Sequence, residues 1–316
     1  MTKVGVIGVG HLGYHHARVY SQLPGVILVG VSDTNERQLE KAAADFATEG
    51  FSDYEQLLDE ADAVSVGVPT SLHYAVGKRC LEAGVNVLIE KPICADLAAA
   101  NELVELANKR QLTLQVGHVE RFNGAVRKLA EVVKYPRFIE CHRLSPYPSR
   151  GDDVGVILDL MIHDIDIVLS LVRSSVAEFD AVGLPVFSQH EDIANARLKF
   201  ANGCVANLTA SRVSVEKMRK IRIFEPDAYI SVRYDDPELK LYRKREDLLK
   251  QGLDPMSCID IEVMPVDKQE PLRAELASFI RCVGTGQRPV VSGEDGRDAL
   301  KLASALAEQI DHLPKK

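Results

Sequence analysis

Residues 3–13 read KVGVIGVGHLG, and this stretch decides the fold of the first part of the chain. The β-branched run Lys3–Gly8 predicts a strand. Gly8, Gly10 and Gly13 then match the pattern G-x-G-x-x-G where a helix begins. The first glycine allows a tight turn, the second lets the backbone approach a pyrophosphate, and the third permits close packing of helix on strand. The stretch therefore predicts a dinucleotide-binding turn whose helix N-terminus faces the phosphates.

An acidic residue stands where such a turn needs one. Asp33 lies 20 residues beyond Gly13, after the second predicted strand, Val26–Ser32. A carboxylate there can accept a hydrogen bond from a ribose 2′-OH and would repel a 2′-phosphate, which favours NAD over NADP. Asp33 could instead cap the helix predicted over Glu36–Thr48, and Arg37 keeps NADP open as the alternative cofactor.

Short apolar strands alternate with helix-like segments through the first third of the chain. Further strands are predicted at Ala63–Val68, Asn86–Ile89 and Thr113–Val116, and helices at His11–Leu23, Leu72–Ala83 and Leu97–Arg110. Near-continuous apolar strands separated by helices are typical of a parallel sheet covered on both faces. We therefore expect an α/β fold whose N-terminal part is a doubly wound parallel sheet of the Rossmann type.

The pattern changes after about residue 120, where longer strands alternate apolar and polar residues. Strands are predicted at Phe138–Arg143, Ala194–Phe200, Val205–Ala210, Lys220–Phe224, Tyr229–Arg233 and Ile259–Val266, and helices at Asp159–Val172, Leu272–Val283 and Asp295–Ile310. Turn signals at Asn202-Gly203 and Pro226-Asp227 fit antiparallel hairpins. The C-terminal part is therefore expected to be an α+β domain with an open, mainly antiparallel sheet.

The length of the chain predicts two domains, and its charge bears on the partners that it can bind. Its 316 residues predict an NAD-binding domain over 1–118 and a substrate-binding and oligomerisation domain over 119–316, with the last helix packing back on the first domain. The net charge of −8 argues against nucleic-acid and membrane partners. Residues 119–150 nevertheless hold 7 basic and 3 acidic side chains, which suits either an anionic substrate or a scatter of solvated charges.

Cysteine usage and hydropathy bear on the compartment. No apolar run approaches the roughly 18 residues of a membrane span. The six cysteines are scattered without a C-x-x-C spacing, and the first residues show no leader pattern. We therefore expect reduced, buried cysteines and a cytoplasmic location.

Glu90-Lys91-Pro92 follows the predicted strand Asn86–Ile89. The ends of such strands form the edge at which open α/β sheets bind ligands. A lysine placed beside a nicotinamide there could hydrogen-bond a reacting oxygen. On the residues alone, Lys91 could equally be a surface lysine of a loop.

A second stretch carries residues fit for proton transfer. Asp159 and His163 are spaced i, i+4 on a predicted helix, and Asp166 follows at i+3 from the histidine. A carboxylate beside an imidazole can move a proton, with the carboxylate fixing the tautomer of the ring. The same residues could hold a metal ion. Because hydride transfer to NAD needs no metal, we expect none.

Taken in order, these motifs resemble those of the glucose–fructose oxidoreductase / inositol dehydrogenase (Gfo/Idh/MocA) family over the whole chain. They are the Gly8–Gly13 loop, Pro69-Thr70-x-x-His73, Glu90-Lys91-Pro92 and Asp159-x-x-x-His163. The resemblance implies that Lys91 is a catalytic lysine, often followed by a cis Pro92 peptide, and that Asp159 and His163 complete a proton relay. The family usually has Gly two residues after this Asp, where this chain has Met161.

The resemblance also implies a cofactor site, in which the Pro-Thr-x-x-His stretch lines NAD. The residues expected to bind NAD are Gly8, Gly10, His11, Leu12, Gly13, Asp33, Thr34, Arg37, Pro69, Thr70, His73, Glu90 and Lys91.

A narrower resemblance is carried by 117–123 (GHVERFN) and 159–166 (DLMIHDID). Both stretches are similar to those of family members that act on nucleotide sugars. This implies oxidation of C3 of UDP-N-acetylglucosamine to the 3-keto sugar, for lipid A or other glycoconjugates. The residues expected to bind the substrate are Lys91, His118, Arg121, Asn123, Arg150, Asp159 and His163. Arg121 and Asn123 could instead only pin the domain junction.

Two alternatives to this function stay open. One is a family member that oxidises inositol or another sugar, and the other is a non-catalytic NAD-binding sensor. The intact Lys91, Asp159 and His163 argue against the sensor, which needs no proton relay. Because an open sheet face commonly pairs with its twin, we also expect a homodimer or homotetramer.

Overall fold

The computed structural model describes residues 1–147, 154–234, 238–245 and 254–311. The chain divides into two compact units. The first unit combines 1–122 with 269–300, and the second combines 123–268 with 301–316. Arg150, one of the expected substrate-binding residues, lies outside the described residues. Within the described ranges, no helix is both long and apolar enough to cross a membrane.

The first unit contains a parallel sheet. Its strands are β1 (Thr2–Ile7), β2 (Val26–Ser32), β3 (Glu49–Phe51), β4 (Ala63–Val66), β5 (Asn86–Glu90) and β6 (Leu114–Gly117). These six strands are all parallel and lie in the order β3-β2-β1-β4-β5-β6. The order reverses between β1 and β4, which is the switch point at which doubly wound sheets bind ligands.

Helices connect these strands. They are α1 (His11–Tyr20), α2 (Glu36–Phe46), α3 (Tyr54–Leu58), α4 (Thr70–Glu82) and α5 (Leu97–Arg110). Asn35, Asp53 and Asp96 cap the N-termini of α2, α3 and α5 by accepting backbone N–H groups of the first turn. The strands β4 and β6 are buried along their whole length, as expected for strands covered on both faces.

Residues 269–300 belong to the first unit. The sequence predicted a boundary at 118, with the last helix packing back on the first domain. The helices concerned are α8 (Pro271–Thr285) and α9 (Gly293–Asp311). Leu276 and Phe279 of α8 are buried in one core cluster with residues of β1 and α1. Gly296 of α9 lies so close to β6 that a Cβ would overlap a side chain of that strand. All of α8 and residues 293–300 of α9 therefore belong to the first unit, and 301–311 of α9 belong to the second.

The second unit contains a mainly antiparallel sheet. Its strands are β7 (Phe138–Leu144), β8 (Val176–Leu184), β9 (Ile193–Phe200), β10 (Val205–Ser211), β11 (Met218–Phe224), β12 (Ala228–Arg233), β13 (Glu238–Lys244) and β14 (Ile259–Met264). The eight strands lie in the order β14-β13-β12-β11-β7-β10-β9-β8, and β7 pairs with β10 in parallel. The sequence missed β8 and β13 because β8 is largely exposed and β13 is rich in charged residues.

Helices cover one face of this second sheet. The helices are α6 (Gly124–Val132), which contacts β12 and β13, and α7 (Ile162–Val172), which contacts β7 and β10. The residues of β7, β10 and β11 that point towards these helices are buried, and those between them are half-buried. The open, mainly antiparallel sheet expected from the sequence is therefore confirmed, as is the α/β fold class. All six cysteines are buried free thiols, as predicted.

The other face of the second sheet carries a row of aromatic side chains. Phe138, Phe224, Tyr229 and Tyr242 are neighbours in register on β7, β11, β12 and β13, and each is half-buried. Successive ring centroids are 5.7, 4.8 and 4.9 Å apart. Ile261 of β14 continues the row and is 62% exposed. We call these five residues the aromatic row.

Candidate functional site

The glycine turn after β1 shows why each glycine is needed. Gly8 has φ +83°, and a Cβ there would lie 2.8 Å from the backbone of Gly67. A Cβ at Gly13 would overlap the carbonyl oxygen of Gly8. At Gly10, by contrast, the nearest atom to a Cβ would be Oε1 of Gln38, at 3.7 Å. The outer glycines are therefore required by packing, whereas a Cβ at the middle one would make only an ordinary contact within the protein, which is compatible with a close approach of a pyrophosphate.

The helix that follows is ready to bind an anion. The N-cap of α1 is Gly10, which has no side chain to accept the N–H groups of the first turn. These N–H groups and the helix dipole therefore remain for a bound phosphate. His11 and Leu12, both expected at the cofactor, are exposed in this first turn, and Leu12 is 48% exposed. The turn fits the diphosphate of NAD.

Asp33 lies at the end of β2, beside the glycine turn. Its Oδ2 accepts the backbone N–H of Val9 at 2.8 Å, and its Oδ1 accepts that of Asn35 at 2.7 Å. The sequence left open that Asp33 caps α2, but the N-cap of α2 is Asn35. The half-buried carboxylate is held at the place where a ribose would bind. Thr34 and Arg37 follow it and are exposed.

His73 connects the segments that follow β4 and β5. It is 1% exposed, with Nδ1 2.8 Å from the carbonyl oxygen of Pro92 and Nε2 3.0 Å from that of Val68. Burial lowers its pKa, and the two carbonyl groups offset part of this effect. Pro69 and Thr70 begin the same helix, α4. The Pro-Thr-x-x-His stretch is therefore anchored to the loop that carries Lys91.

Glu90 is the last residue of β5, and Lys91 follows it. The peptide bond between Lys91 and Pro92 is cis, as the family resemblance implied. Lys91 is half-buried, whereas Glu90 is buried and ion-pairs with His16 of α1. Burial alone would raise the pKa of Glu90, but the hydrogen bond from His16 and the charge of Lys91 outweigh it and lower that pKa. Glu90 is one of the residues expected to bind NAD, and its carboxylate is buried against His16.

The residues after β6 serve different purposes. His118 is 1% exposed, and burial, with the charges of Lys91 and Arg121, lowers its pKa to about 3, so its ring is neutral. Arg121 donates from its guanidinium to the carbonyl oxygen of Val290 at 3.2 Å. The side chain of Asn123 caps α6 by accepting the N–H of its second residue at 3.0 Å. Asn123 therefore caps α6, and its expected contact with the substrate stays a prediction.

In the second unit, Asp159 lies in a π-helical turn, Ile157–Met161, which runs directly into α7. His163 is the second residue of α7, and both side chains are half-buried. The sequence predicted one continuous α-helix from Asp159. The structure differs because the first turn closes with wider hydrogen bonds, a distortion that occurs frequently at functional sites.

A buried ion pair fastens α7 to the sheet beside His163. Nε and Nη2 of Arg143 in β7 donate to the two carboxylate oxygens of Asp164, each at 2.9 Å. Both side chains are about 3% exposed. A bidentate pair of this kind fixes orientation as well as distance. It therefore sets the rotation of α7 about its axis, and with it the direction of His163.

A second buried pair holds the segment that leads into the π turn. Asp192 is completely buried and accepts the backbone N–H groups of residues 186–188 and Nε of Arg212 at 2.7 Å. Arg212 also donates to the carbonyl oxygen of Val154 at 2.7 Å. Burial alone would raise the pKa of Asp192, but these donors outweigh it and hold that pKa well below its usual range.

Sequence reasoning missed these supporting residues. Arg143 and Asp164 are 21 residues apart, and Asp192 and Arg212 are 20 apart, with no motif that links either pair. His16 is three residues beyond Gly13 and was predicted only as part of the helix His11–Leu23.

The positive charge of residues 119–150 is partly used inside the second unit. Arg143 pairs with Asp164, Arg127 lies 3.5 Å from Asp267, and Lys128 lies 2.8 Å from Glu131. The excess of basic residues in this stretch therefore overstates the charge left to attract a substrate.

A dinucleotide-binding unit with a lysine at the ligand edge, followed by a unit with an aspartate and a histidine on one helical segment, defines a nicotinamide-dependent oxidoreductase. Two family models match the chain. One, described as "Oxidoreductase family, NAD-binding Rossmann fold", matches residues 2–118, and the other, described as "GFO/IDH/MocA C-terminal domain", matches 124–230. The chain belongs to the Gfo/Idh/MocA oxidoreductase family, and its cofactor is NAD.

Individual relatives agree with this assignment. The chain is 36% identical to the UDP-N-acetylglucosamine 3-dehydrogenase of Acidithiobacillus ferrooxidans over 302 residues, which cover 95% of each chain. A solved structure of that enzyme superposes with a TM-score of 0.92, covering 98% of this chain and 97% of that chain. The myo-inositol 2-dehydrogenase of Thermotoga maritima is 26% identical, over 98% of this chain and 96% of its own. This chain is thus an enzyme that acts on CH–OH groups.

The glycine turn leads to a prediction that separates cofactor binding from folding. Gly10→Ala adds a methyl group to open space, so we expect an unchanged melting temperature in the absence of NADH. The same methyl group blocks the approach of the pyrophosphate, and NADH binding should weaken by about 10-fold or more, as expected for the loss of at least one phosphate hydrogen bond. Fluorescence titration with NADH measures the affinity.

Gly13→Ala is the matched control, because its Cβ would overlap the carbonyl oxygen of Gly8. It should lower both the melting temperature and the NADH affinity. Normal NADH binding by Gly10→Ala would show that the middle glycine does not face the diphosphate.

The Asp192–Arg212 pair generates a prediction on pH. Asp192→Asn leaves the Arg212 charge buried without its partner and should lower the free energy of unfolding by about 3 kcal/mol at neutral pH. The pKa of Asp192 is lower in the folded protein, so its contribution is complete above about pH 4 and is lost as pH falls through the folded pKa. Denaturant unfolding from pH 7 to pH 3 should show a constant difference between the two proteins down to about pH 4 and a smaller one at pH 3.

Glu178→Gln serves as the control, because Glu178 pairs with Lys199 on an exposed strand. Its stability should nearly equal that of wild type throughout. A constant difference between wild type and Asp192→Asn down to pH 3 would contradict the expected titration.

Proposed function

We propose that this enzyme oxidises the C3 hydroxyl of UDP-N-acetylglucosamine to a ketone. The observation that carries the proposal is the match to the Acidithiobacillus ferrooxidans UDP-N-acetylglucosamine 3-dehydrogenase, at 36% identity over 95% of both chains. The structural superposition covers both units, with a TM-score of 0.92. The 3-keto product is suited to amination, so we place the reaction in the biosynthesis of lipid A or another glycoconjugate.

In the mechanism that we propose, three side chains act on the substrate. His163 accepts the hydroxyl proton, and Asp159 holds the ring in the tautomer that can do so. Lys91 hydrogen-bonds the developing alkoxide and stabilises its charge. When bound, NAD supplies the nicotinamide ring that accepts the hydride from the ring carbon.

The supporting residues keep these groups in place. The bidentate Arg143–Asp164 pair holds α7, which carries His163, and the Asp192–Arg212 pair holds the segment before the π turn. Catalysis depends on such placement, because a displacement of about 1 Å can cost about 100-fold in rate. Buried charged pairs of this kind specify one arrangement of the chain around the reacting groups.

The second candidate is oxidation of an inositol. It is favoured by one observation, the 26% identity to the Thermotoga maritima myo-inositol 2-dehydrogenase over 98% of this chain. That identity is lower, and the sequences GHVERFN and DLMIHDID resemble those of the nucleotide-sugar members.

A substrate panel tests the proposal. NADH formation is followed by absorbance with UDP-N-acetylglucosamine, UDP-glucose, free N-acetylglucosamine, myo-inositol and scyllo-inositol. We expect kcat/KM to be highest with UDP-N-acetylglucosamine and lower by about 100-fold or more with the free sugar, because contacts with the diphosphate are lost. Higher kcat/KM with an inositol would replace this function with the second candidate.

The variant Lys91→Met tests the catalytic role of Lys91 in the same assay. The substitution should reduce turnover by about 1,000-fold or more, because it removes the donor to the alkoxide. NADH affinity should stay within a few-fold, and Lys78→Met, at an exposed ion pair of α4, should keep wild-type turnover. Turnover by Lys91→Met close to wild type would remove Lys91 from the mechanism.

We also propose that the chain forms a homodimer or homotetramer through the open face of the second sheet. The aromatic row supports this proposal, since half-buried rings across four strands, followed by an exposed isoleucine, form a continuous apolar surface. An identical copy can cover the row with its own.

Sedimentation of the double variant Tyr229→Lys/Ile261→Lys tests the interface. We expect wild type to sediment as a dimer or tetramer and the variant as a monomer that still binds NADH. Val215→Lys is the matched control, since Val215 is 97% exposed and lies outside the row. It should not change the assembly. A monomeric wild type at micromolar concentration would end the proposal.

A further inference from the structure

Glu90 is a buried carboxylate that joins α1 to the backbone of Lys91. It is 8% exposed, and Nε2 of His16 lies 2.9 Å from its Oε1. Its Oε2 accepts the backbone N–H of Lys91 at 3.3 Å. His16 itself is 1% exposed. One oxygen of the Glu90 carboxylate therefore contacts α1, and the other contacts the backbone of Lys91, the residue that we propose as catalytic.

The carboxylate of Glu90 occupies a place that only glycine leaves free. Gly117 of β6 is the register partner of Glu90. A Cβ at Gly117 would lie 2.9 Å from the carboxylate carbon and from both carboxylate oxygens of Glu90. The side chain therefore lies directly against the backbone of β6. Together, His16 and Gly117 confine it to one position.

Titratable groups from several elements face this carboxylate. Those that interact with it electrostatically include His16 and Tyr20 of α1, His73 of α4, Lys91 and His118. Burial raises the pKa of Tyr20 and lowers the pKa of His118 to about 3, so both rings are uncharged at neutral pH. The pKa of Glu90 is lowered, because His16 and Lys91 outweigh burial. Glu90 is therefore a fixed negative charge beside Lys91.

We propose that His16 and Glu90 are positioning residues for Lys91, and that Gly117 provides the space that this arrangement requires. The inference rests on the role of Lys91 given under the proposed function. The carboxylate fixes the backbone at Lys91, and its charge attracts the ammonium group of that lysine. His16 keeps the carboxylate ionised although it is buried. Loss of His16 should therefore act on catalysis through Glu90.

Two substitutions of His16 test this chain of contacts. His16→Leu removes the donor at similar size, and the buried carboxylate should then protonate more easily, with its pKa raised by about one to three units. His16→Gln keeps an N–H donor at nearly the same place, so the pKa of Glu90 should stay close to its wild-type value. The pKa of Glu90 is followed in NAD-free protein by NMR of glutamate labelled with carbon-13 at Cδ, with Glu90→Gln identifying the signal.

The pH profile of kcat is the second measurement. For His16→Leu we expect kcat to fall by about 10- to 100-fold. The acid limb should move to higher pH, because Glu90 now loses its charge on protonation in that range. KM for the substrate and the affinity for NADH should change by less than about 3-fold, which a general loss of structure would not allow. His16→Gln should regain the wild-type profile.

Gly117→Ala is an independent variant if His16→Leu fails to fold. It keeps both His16 and Glu90 but displaces the carboxylate, and it should lower kcat in the same way. An unchanged pKa of Glu90 in His16→Leu would overturn the pairing. A raised pKa with a wild-type profile of kcat would overturn the positioning of Lys91.

The substrate proposal and this inference fail in different ways. The profile is measured with whichever compound of the panel wild type oxidises best. A preference for an inositol would thus change the substrate and leave the test of His16 and Glu90 intact.

Discussion

The close contact between Gly13 and the carbonyl oxygen of Gly8 is the constraint on which the first unit depends. It brings the start of α1 against the end of β1 so closely that a single Cβ would overlap the carbonyl oxygen. This contact aims the uncapped N-terminus of α1 at the place for a diphosphate. It also lets α1 present His16, three residues after Gly13, to Glu90. Cofactor binding and the support of Lys91 therefore share one geometric origin.

The second unit depends on buried charge in a different way. Arg143–Asp164 and Arg212–Asp192 are both bidentate or multiply bonded and almost completely buried. Removing two charges from water costs about as much as their attraction returns, so such pairs add little net stability. They do penalise every alternative packing of α7 and of the segment before the π turn. This explains how His163 can keep one direction on a helix that begins with a distorted turn.

Sequence alone predicts the features whose reasons are local. The glycine turn and Asp33 follow from contiguous motifs, the cis peptide before Pro92 was implied by the family resemblance, and alternation predicts most strands of the second sheet. It does not show that α8 belongs to the first unit, although the last helix was expected to pack back on the first domain. Periodicity also cannot tell a π turn from an α-helical turn at Asp159. An ion pair between residues about 20 positions apart, such as Asp192 and Arg212, cannot be predicted from one sequence because no motif links the two residues.

The number of basic residues in 119–150 and their contacts in the structure lead to different conclusions about an anionic substrate. The 7 basic residues of 119–150 suggest a surface for an anion when they are only counted. In the folded chain, Arg143, Arg127 and Lys128 are engaged with carboxylates of the second unit. A guanidinium already bound by two carboxylate oxygens has no free donors on that edge for a phosphate. Three of the seven basic residues are thus engaged within the second unit, so their number alone does not indicate an anionic substrate.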